Sequence, residues 1–184
     1  MKLFGQADAM DVVEKGLQLR GWKYDRADRT MIKTGVHSQS GRNYSIIILH
    51  EEDKRTLLFL YNPMRPLDEI PAAIAQGKLP VMQVHAEKGQ TSADVAGVCQ
   101  ILLQENYRIV LGAFERDARD GELRFRIALP YRDAEPTPAQ VNWCIDVAIS
   151  TLDKVMATVE RFLRGEIDLE QALGGVPGPG PMVV

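Results

Sequence analysis

The fold is decided by two consecutive stretches of sequence, GAFERDARDGELRFRIALP at residues 112–130 and TPAQVNWCIDVAISTLDKVMATVERFLRG at residues 137–165. In the first stretch Asp120-Gly121 is a turn dipeptide, and apolar and polar residues alternate from Glu122 to Pro130. Because the side chains of a strand point alternately to its two faces, this alternation predicts a hairpin with one buried and one wet face.

The second stretch predicts one long amphipathic helix. Thr137 offers an N-cap hydroxyl, Pro138 presets φ at the first helical position, Gln140 completes a capping box, and Gly165 ends the helix. The apolar stripe of this helix comprises Val141, Ile145, Ala148, Leu152, Val155, Val159 and Phe162.

The first half of the chain predicts a helix followed by an antiparallel meander. Apolar residues at helical spacing indicate a helix over 7–20, and Gly21 follows its end. Short β-rich runs separated by polar breaks are typical of strands, and here they predict strands at 22–25, 30–37, 44–50 and 55–61. Asn62-Pro63 ends the meander, because proline cannot donate to a central ladder.

Between the meander and the hairpin, the sequence predicts a variable connection and a second firm helix. The connection at 65–80 contains three prolines and a helical turn or two at 67–76. Thr91 and Asp94 have the spacing of a capping box, and Val95, Val98, Cys99, Leu102 and Leu103 form an apolar stripe for a helix over 92–105. A strand over 107–115 would then lead into the hairpin.

This order of elements predicts an α+β fold, in which an antiparallel sheet made of a meander and a hairpin is packed by an N-terminal, a middle and a long C-terminal helix. Residues 1–165 are predicted to form one α+β domain. The remaining residues, 166–184, are predicted to be a short helical turn at 168–173 and a flexible tail rich in Gly and Pro.

The second half of the chain resembles the YbjN-like family of bacterial proteins, and through it the fold of type III secretion chaperones. The resemblance rests on LQEN at 103–106, on LGAFE at 111–115, on the turn from Asp117 through Asp120-Gly121 to LRFR at 123–126, and on the amphipathic helix that ends near Gly165. It implies that residues 1–165 are a YbjN-like α+β domain of a non-enzymatic protein that presents surfaces to protein partners, described as a bacterial sensory-transduction regulator or chaperone-like factor. No functional residue transfers with it, because the matching positions serve a hairpin and a core helix.

Composition argues against nucleic acid and membranes as partners. The net charge is -3, with 22 Lys and Arg among 25 Asp and Glu, so no basic field exists to neutralise phosphates. No window approaches the about 20 apolar residues of a membrane span, and the N-terminal residues lack a secretion signal, so a cytoplasmic protein is expected. Cys99 and Cys144 both fall in predicted helices and are expected to be small buried hydrophobes without a disulfide.

No catalytic, metal or cofactor motif stands out, so we do not expect an enzyme. His37, His50 and His85 lack metal-ligand spacing, and an unfamiliar enzyme would require them to converge with carboxylates in a cleft. Arg124 and Arg126 share a strand face near Arg116 and Arg119. This basic patch could hold a carboxylate, but a wet sheet face flanked by Asp117 and Asp120 explains it as well and is the favoured interpretation.

One feature does indicate binding. IIIL at 46–49 and LLFL at 57–60 are apolar at consecutive positions, so both faces of these strands need cover. Helices cover one face, and the middle helix, a second copy of the chain or a partner segment would cover the other. The predicted partner-binding residues are Ile46, Ile48, Leu58 and Leu60.

Two functions therefore compete with the unfamiliar enzyme. The first is a protein-binding regulator or chaperone-like adaptor. It would need no cofactor, and a homodimer is one form that it could take. The second is a sensor of a small apolar ligand, in which the 65–80 segment closes a pocket lined by residues such as Phe59, Tyr61 and Ile74.

Overall fold

A computed structural model describes residues 8–63 and 90–174. The described residues form four α-helices and one six-stranded antiparallel sheet. The helices are α1 (Ala9–Leu19), α2 (Ser92–Arg108), α3 (Pro138–Leu163) and α4 (Leu169–Gly174). The strands are β1 (Tyr24–Arg26), β2 (Met31–His37), β3 (Asn43–Glu51), β4 (Thr56–Pro63), β5 (Ala113–Arg116) and β6 (Leu123–Pro130). The predicted α+β class is confirmed.

The strands lie in the order β1-β2-β3-β4-β6-β5, so the hairpin strand β6 pairs with the meander strand β4. In this register Ile48 lies opposite Phe59, which lies opposite Ile127, and all three side chains are fully buried. The same alternation along each strand puts one face of the sheet into the core, as the period of two requires.

The long helix α3 crosses this buried face. Its N-cap Thr137 and Gln140 form the predicted capping box, Pro138 occupies the first turn, and Gly165 follows with φ +70°. The buried positions of α3 are Val141, Cys144, Ile145, Ala148, Leu152, Val155, Met156 and Val159. The hydroxyl of Tyr44, on the buried face of β3, donates to Asp153 of α3 at 2.5 Å, which confirms that α3 lies over this face.

Helix α2 lies at the β5 edge of the sheet and packs against α3 and α4. The side chain of Asn106 accepts a hydrogen bond from the backbone N–H of Phe114 (2.7 Å) and donates one to its carbonyl (3.0 Å). These two bonds occupy backbone groups of an edge strand, which would otherwise be open to another chain.

The predicted strand at 107–115 is wrong in its first half. The helix continues to Arg108, and the strand itself covers only 113–116. Glu105 explains the longer helix, because its buried carboxylate binds Arg108 (2.9 Å) within the last turn.

The core extends beyond the predicted boundary at residue 165. Helix α4 packs against α2 and α3, and Ala172 is buried in the same core cluster. The predicted connection at 65–80 and the tail from 175 onward lie outside the described residues.

Candidate protein-docking surfaces

The structure divides the four predicted partner-binding residues between the two faces of the sheet. Ile46 and Ile48 are fully buried in the core, where no partner can reach them in the folded chain. Leu58 and Leu60 alternate with the buried Leu57 and Phe59 and therefore point to the opposite face. The predicted group must be corrected accordingly.

On the outer face, Leu49 of β3 pairs directly with Leu58, and Ile47 pairs directly with Leu60. All four are partly exposed. Because the apolar residues of both strands are consecutive, the sequence does not show which alternate residues face the core. Either choice fits the pattern equally well. That Leu58 and Leu60 contact a partner stays a prediction.

The carboxylate of Asp153 on α3 gathers contacts from the turn between β2 and β3 and from β3 itself. It accepts hydrogen bonds from Ser40 (2.6 Å), Tyr44 (2.5 Å) and Ser38 (2.8 Å). Partial burial raises the pKa of Asp153, but the three hydroxyl donors outweigh burial and leave its pKa below the ordinary value. This donor set stabilises a charged acceptor and joins two elements.

A second polar cluster lies where β3 ends and β4 begins. His50 Nε2 hydrogen-bonds the hydroxyl of Tyr131, and His50 Nδ1 lies 3.9 Å from the carboxylate of Asp8. The Arg55 guanidinium stacks 5.0 Å from the Tyr131 ring centroid and binds Glu135 at 3.2 Å. Burial, and then the charge of Glu135, raise the pKa of Tyr131 to about 12, so this hydroxyl stays protonated at neutral pH.

Three arginines of the hairpin are paired with carboxylates. Arg124 and Arg126 each bind Glu115 at 2.7 Å, and Arg119 binds Asp117 at 2.6 Å. Burial raises the pKa of Glu115, yet the hydrogen bonds from Arg126 and Arg124 lower it further, below its ordinary value. Such pairing favours the predicted wet sheet face over an anion site.

Two of the three histidines considered for enzyme chemistry lie in the described part of the chain, and each contacts a different partner. His37 is exposed on β2 and contacts Asn43 (3.0 Å), while His50 lies in the Tyr131 cluster. His85 lies outside the described residues. Within residues 8–63 and 90–174, no group of three or more His, Cys, Asp or Glu side chains could hold a metal ion.

The two described residues that would line the predicted ligand pocket are core residues. Phe59 and Tyr61 are fully buried, with ring centroids 6.5 Å apart, and Tyr61 also lies 6.4 Å from the Phe125 ring. Their side chains are therefore occupied by packing. Ile74 and the 65–80 segment lie outside the described residues.

The most exposed apolar surface of the described residues lies on α2. Leu103 is 70% exposed, Tyr107 is 89% exposed, and Val110, just past the helix end, is 82% exposed. Gly97, Val98, Ile101 and Leu102 face inward instead. We call the exposed side the α2 face and define it as Ala96, Cys99, Gln100, Leu103 and Tyr107.

Sequence reasoning missed the α2 face because it placed Cys99 and Leu103 in the buried stripe. Cys99 is exposed, so the expectation that both cysteines are buried is wrong for it. Cys144 is buried, and burial raises the pKa of its thiol to about 11. A signal was present: residues 96, 99, 100, 103 and 107 recur at helical spacing without a single charge.

The α2 face borders an open groove of about 610 Å³. Its lining residues are Gln100, Leu103, Gln104, Asn106, Tyr107 and Leu173. None of these side chains is charged, so the groove suits apolar and neutral polar groups of another molecule rather than an ion.

No protein-family model matches the chain, and a comparison with curated proteins finds no match. Among solved structures, the chain is similar to a chain of the HopA1-SchA chaperone-effector complex. The identity is 12%, over 85% of this chain and 90% of that chain, and the TM-score is 0.34. So remote a likeness assigns neither a family nor a partner, and the YbjN-like resemblance stays a prediction.

In the described part of the chain, every helix falls short of the length and apolar character that crossing a membrane requires.

Proposed function

We propose that the protein is a non-enzymatic, chaperone-like adaptor that binds another polypeptide through the α2 face. The observation that carries the proposal is the exposure of Leu103 and Tyr107 side by side on one helix. A fully buried Leu side chain is worth about 1.5–3 kcal/mol relative to an exposed one, so a partner that covers this face gains substantial free energy.

The composition of the α2 face indicates the chemistry of the partner. Tyr is enriched in the centres of protein interfaces, where charged residues are depleted. The α2 face has an aromatic and an aliphatic anchor, a neutral amide at Gln100 and no charge. An apolar or neutral face of a folded partner fits this surface, whereas a nucleic acid or an acidic ligand does not.

A more specific form of the proposal names the process in which the adaptor acts. The YbjN-like resemblance implies a regulator of sensory transduction in the bacterial cytoplasm, and an adaptor that acts by binding is consistent with such a role. The polar clusters around Asp153, Tyr131 and Glu115 support a binding role indirectly. Their side chains are already engaged in contacts that join elements of the fold.

Site-specific cross-linking tests the proposal. A photoreactive amino acid at position 107 is expected to capture a polypeptide under native conditions, and the Leu103→Glu substitution should abolish capture. The control is the same amino acid at position 19, because Leu19 is 69% exposed on α1, away from the α2 face. Equal capture at both positions, or no adduct at position 107, would contradict the proposal.

A further inference from the structure

We infer that the α2 face is also bound by residues 175–184 of the same chain, which compete there with the other polypeptide. We call these residues the tail. The inference rests on the proposed function and adds its regulation. Three observations lead to it: the place where the described chain ends, the composition of the tail and the length of α2.

The described chain ends at the wall of the groove beside the α2 face. Leu173 lines this groove, and its carbonyl accepts a hydrogen bond from the Arg108 guanidinium at 3.3 Å. Arg108 in turn binds the buried carboxylate of Glu105 at 2.9 Å, which fixes this attachment. Gly174 follows and is exposed. The tail therefore starts beside the C-terminal end of α2.

The composition of the tail matches that of the groove. The tail contains no charged residue, and its larger side chains are Val176, Pro177, Pro179, Pro181, Met182, Val183 and Val184. Segments that stay unfolded in water are usually polar and highly charged, whereas these side chains gain free energy when they leave water. Grooves that bind proline-rich segments are lined by aromatic side chains, and Tyr107 exposes 89% of its surface here. Both surfaces are thus neutral and apolar.

The tail is long enough to cover the α2 face in one direction. Its ten residues, in an extended proline-rich conformation, span about 31 Å at about 3.1 Å per residue. Helix α2, with 17 residues, is about 26 Å long. Because the tail starts beside the C-terminal end of α2, only an antiparallel path follows the face. This path puts Val176 near Tyr107 and Met182 near Ala96, where the exposed side chains of α2 are small.

The attachment favours the tail over a free molecule. A free molecule loses translational and rotational freedom when it binds, whereas the tail has already lost most of it. A short flexible linker gives the attached segment an effective concentration on the order of 1 mM, so a contact with a dissociation constant of about 1 mM holds the tail on the face about half of the time. The face is open for the other half, and a competing polypeptide then binds with an apparent dissociation constant about twofold higher.

Photo-cross-linking in the full chain tests where the tail lies. A photoreactive amino acid at position 107 should form an adduct with the tail of the same chain near Val176. At position 96 the adduct should move about five residues towards Val184, because the two positions lie about 16 Å apart along α2. Position 19 is the control and should give no tail adduct, since Leu19 is 69% exposed but lies on α1. Mass spectrometry on a mixture of isotope-labelled and unlabelled chains distinguishes adducts within a chain from adducts between chains.

A competition experiment tests whether the tail occupies the groove. The probe is a synthetic peptide with the sequence of residues 174–184, titrated into the full chain and followed by NMR chemical shifts. The double variant Val176→Asp and Met182→Asp should release the tail, so the peptide should bind it with a dissociation constant lower by about twofold or more. Adding Leu103→Glu to this variant should abolish binding of the peptide. Adding Leu19→Glu should not, although the two leucines are 70% and 69% exposed. Circular dichroism confirms that each variant is folded.

Three cross-linking results would overturn the inference: no tail adduct at position 107, equal tail adducts at positions 107 and 19, or adducts that form mainly between chains. So would a peptide that binds the original chain and the tail variant equally, or one whose binding survives Leu103→Glu in a folded chain.

The adaptor proposal is judged separately. If position 107 gives no tail adduct but captures a different protein, the tail is excluded and the adaptor stands. If the tail is captured and no other protein is captured even by the tail variant, the tail covers the α2 face and the adaptor proposal falls.

Discussion

Helices α2 and α3 begin alike and end in different roles. Both start with a complete capping box, at Thr91 and Asp94 for α2 and at Thr137 and Gln140 for α3. Helix α3 buries its apolar stripe across the sheet, whereas α2 leaves two large apolar side chains in water. The difference teaches that local signals specify a helix, while its neighbours decide which face is left for binding.

Polar contacts reinforce this difference. The flanks of α3 are tied to the first half of the chain at both ends and in the middle. Arg20 binds Asp146 (2.7 Å), Arg42 binds Glu160 (2.7 Å), and Asp153 accepts hydrogen bonds from three hydroxyls. These ties explain why α3 is the structural centre of the domain.

The largest expected effect comes from one substitution made in both helices. Leu152→Ala on α3 removes a fully buried side chain and should lower the free energy of unfolding by about 2–5 kcal/mol. Leu103→Ala on α2 should change it by less than about 0.5 kcal/mol in dilute solution, because its side chain is already in water. Urea denaturation measures both, and equal losses would refute the contrast between the two helices.

The next effect concerns the Asp153 contacts. Asp153→Ala leaves the hydroxyls of Tyr44 and Ser38 without their acceptor in a partly buried site, which should cost about 1–3 kcal/mol. The same measurement on Tyr44→Phe and Ser38→Ala should show smaller single losses. A negligible effect of Asp153→Ala would mean that the hydroxyl contacts of Asp153 do not contribute to holding α3 in place.

The stabilising charge of Asp153 also predicts a pH dependence. Its pKa is lower in the folded chain than the ordinary value of 3.8, so its contribution is complete above that value and is lost as the pH falls through the folded pKa. The difference in unfolding free energy between the original chain and Asp153→Asn should therefore shrink in acid. A difference that stays constant between neutral and acid pH would contradict this prediction.

The smallest effect tests what the two helices share. Thr137→Ala and Thr91→Ala each remove an N-cap hydroxyl and should each cost about 1 kcal/mol. Thermal unfolding of the two variants provides the comparison. Similar losses would show that α2 and α3 differ in which face is buried and not in how they begin. A loss at one cap only would show that the two helices differ at their N-termini.

Much of the fold could be predicted, and the errors have physical causes. The helix after Thr137 is as predicted because its cap, proline and terminal glycine are local signals. The strand expected over 107–115 was wrong in its first half because Tyr107 and Arg108 continue α2, whose last turn is closed by Glu105 and Arg108, and the strand begins only at Ala113.

The candidate site was less predictable. Which of Ile46 and Ile47 is buried depends on the register with β4 and on the position of α3, and neither is encoded in an apolar run of four residues. In the same way, Cys99 and Cys144 occupy similar helical patterns, yet one is exposed and the other is in the core.

By itself, the amino-acid sequence determined the succession of helices and strands, because caps, turn dipeptides and periodicity act over a few residues. Only the tertiary structure decided that Ile47, Leu49, Leu58 and Leu60 form the outer face and that α2 keeps an uncharged face in solvent. Burial depends on contacts between residues far apart in the chain, such as those of α2 with α3 and α4, which local patterns do not contain.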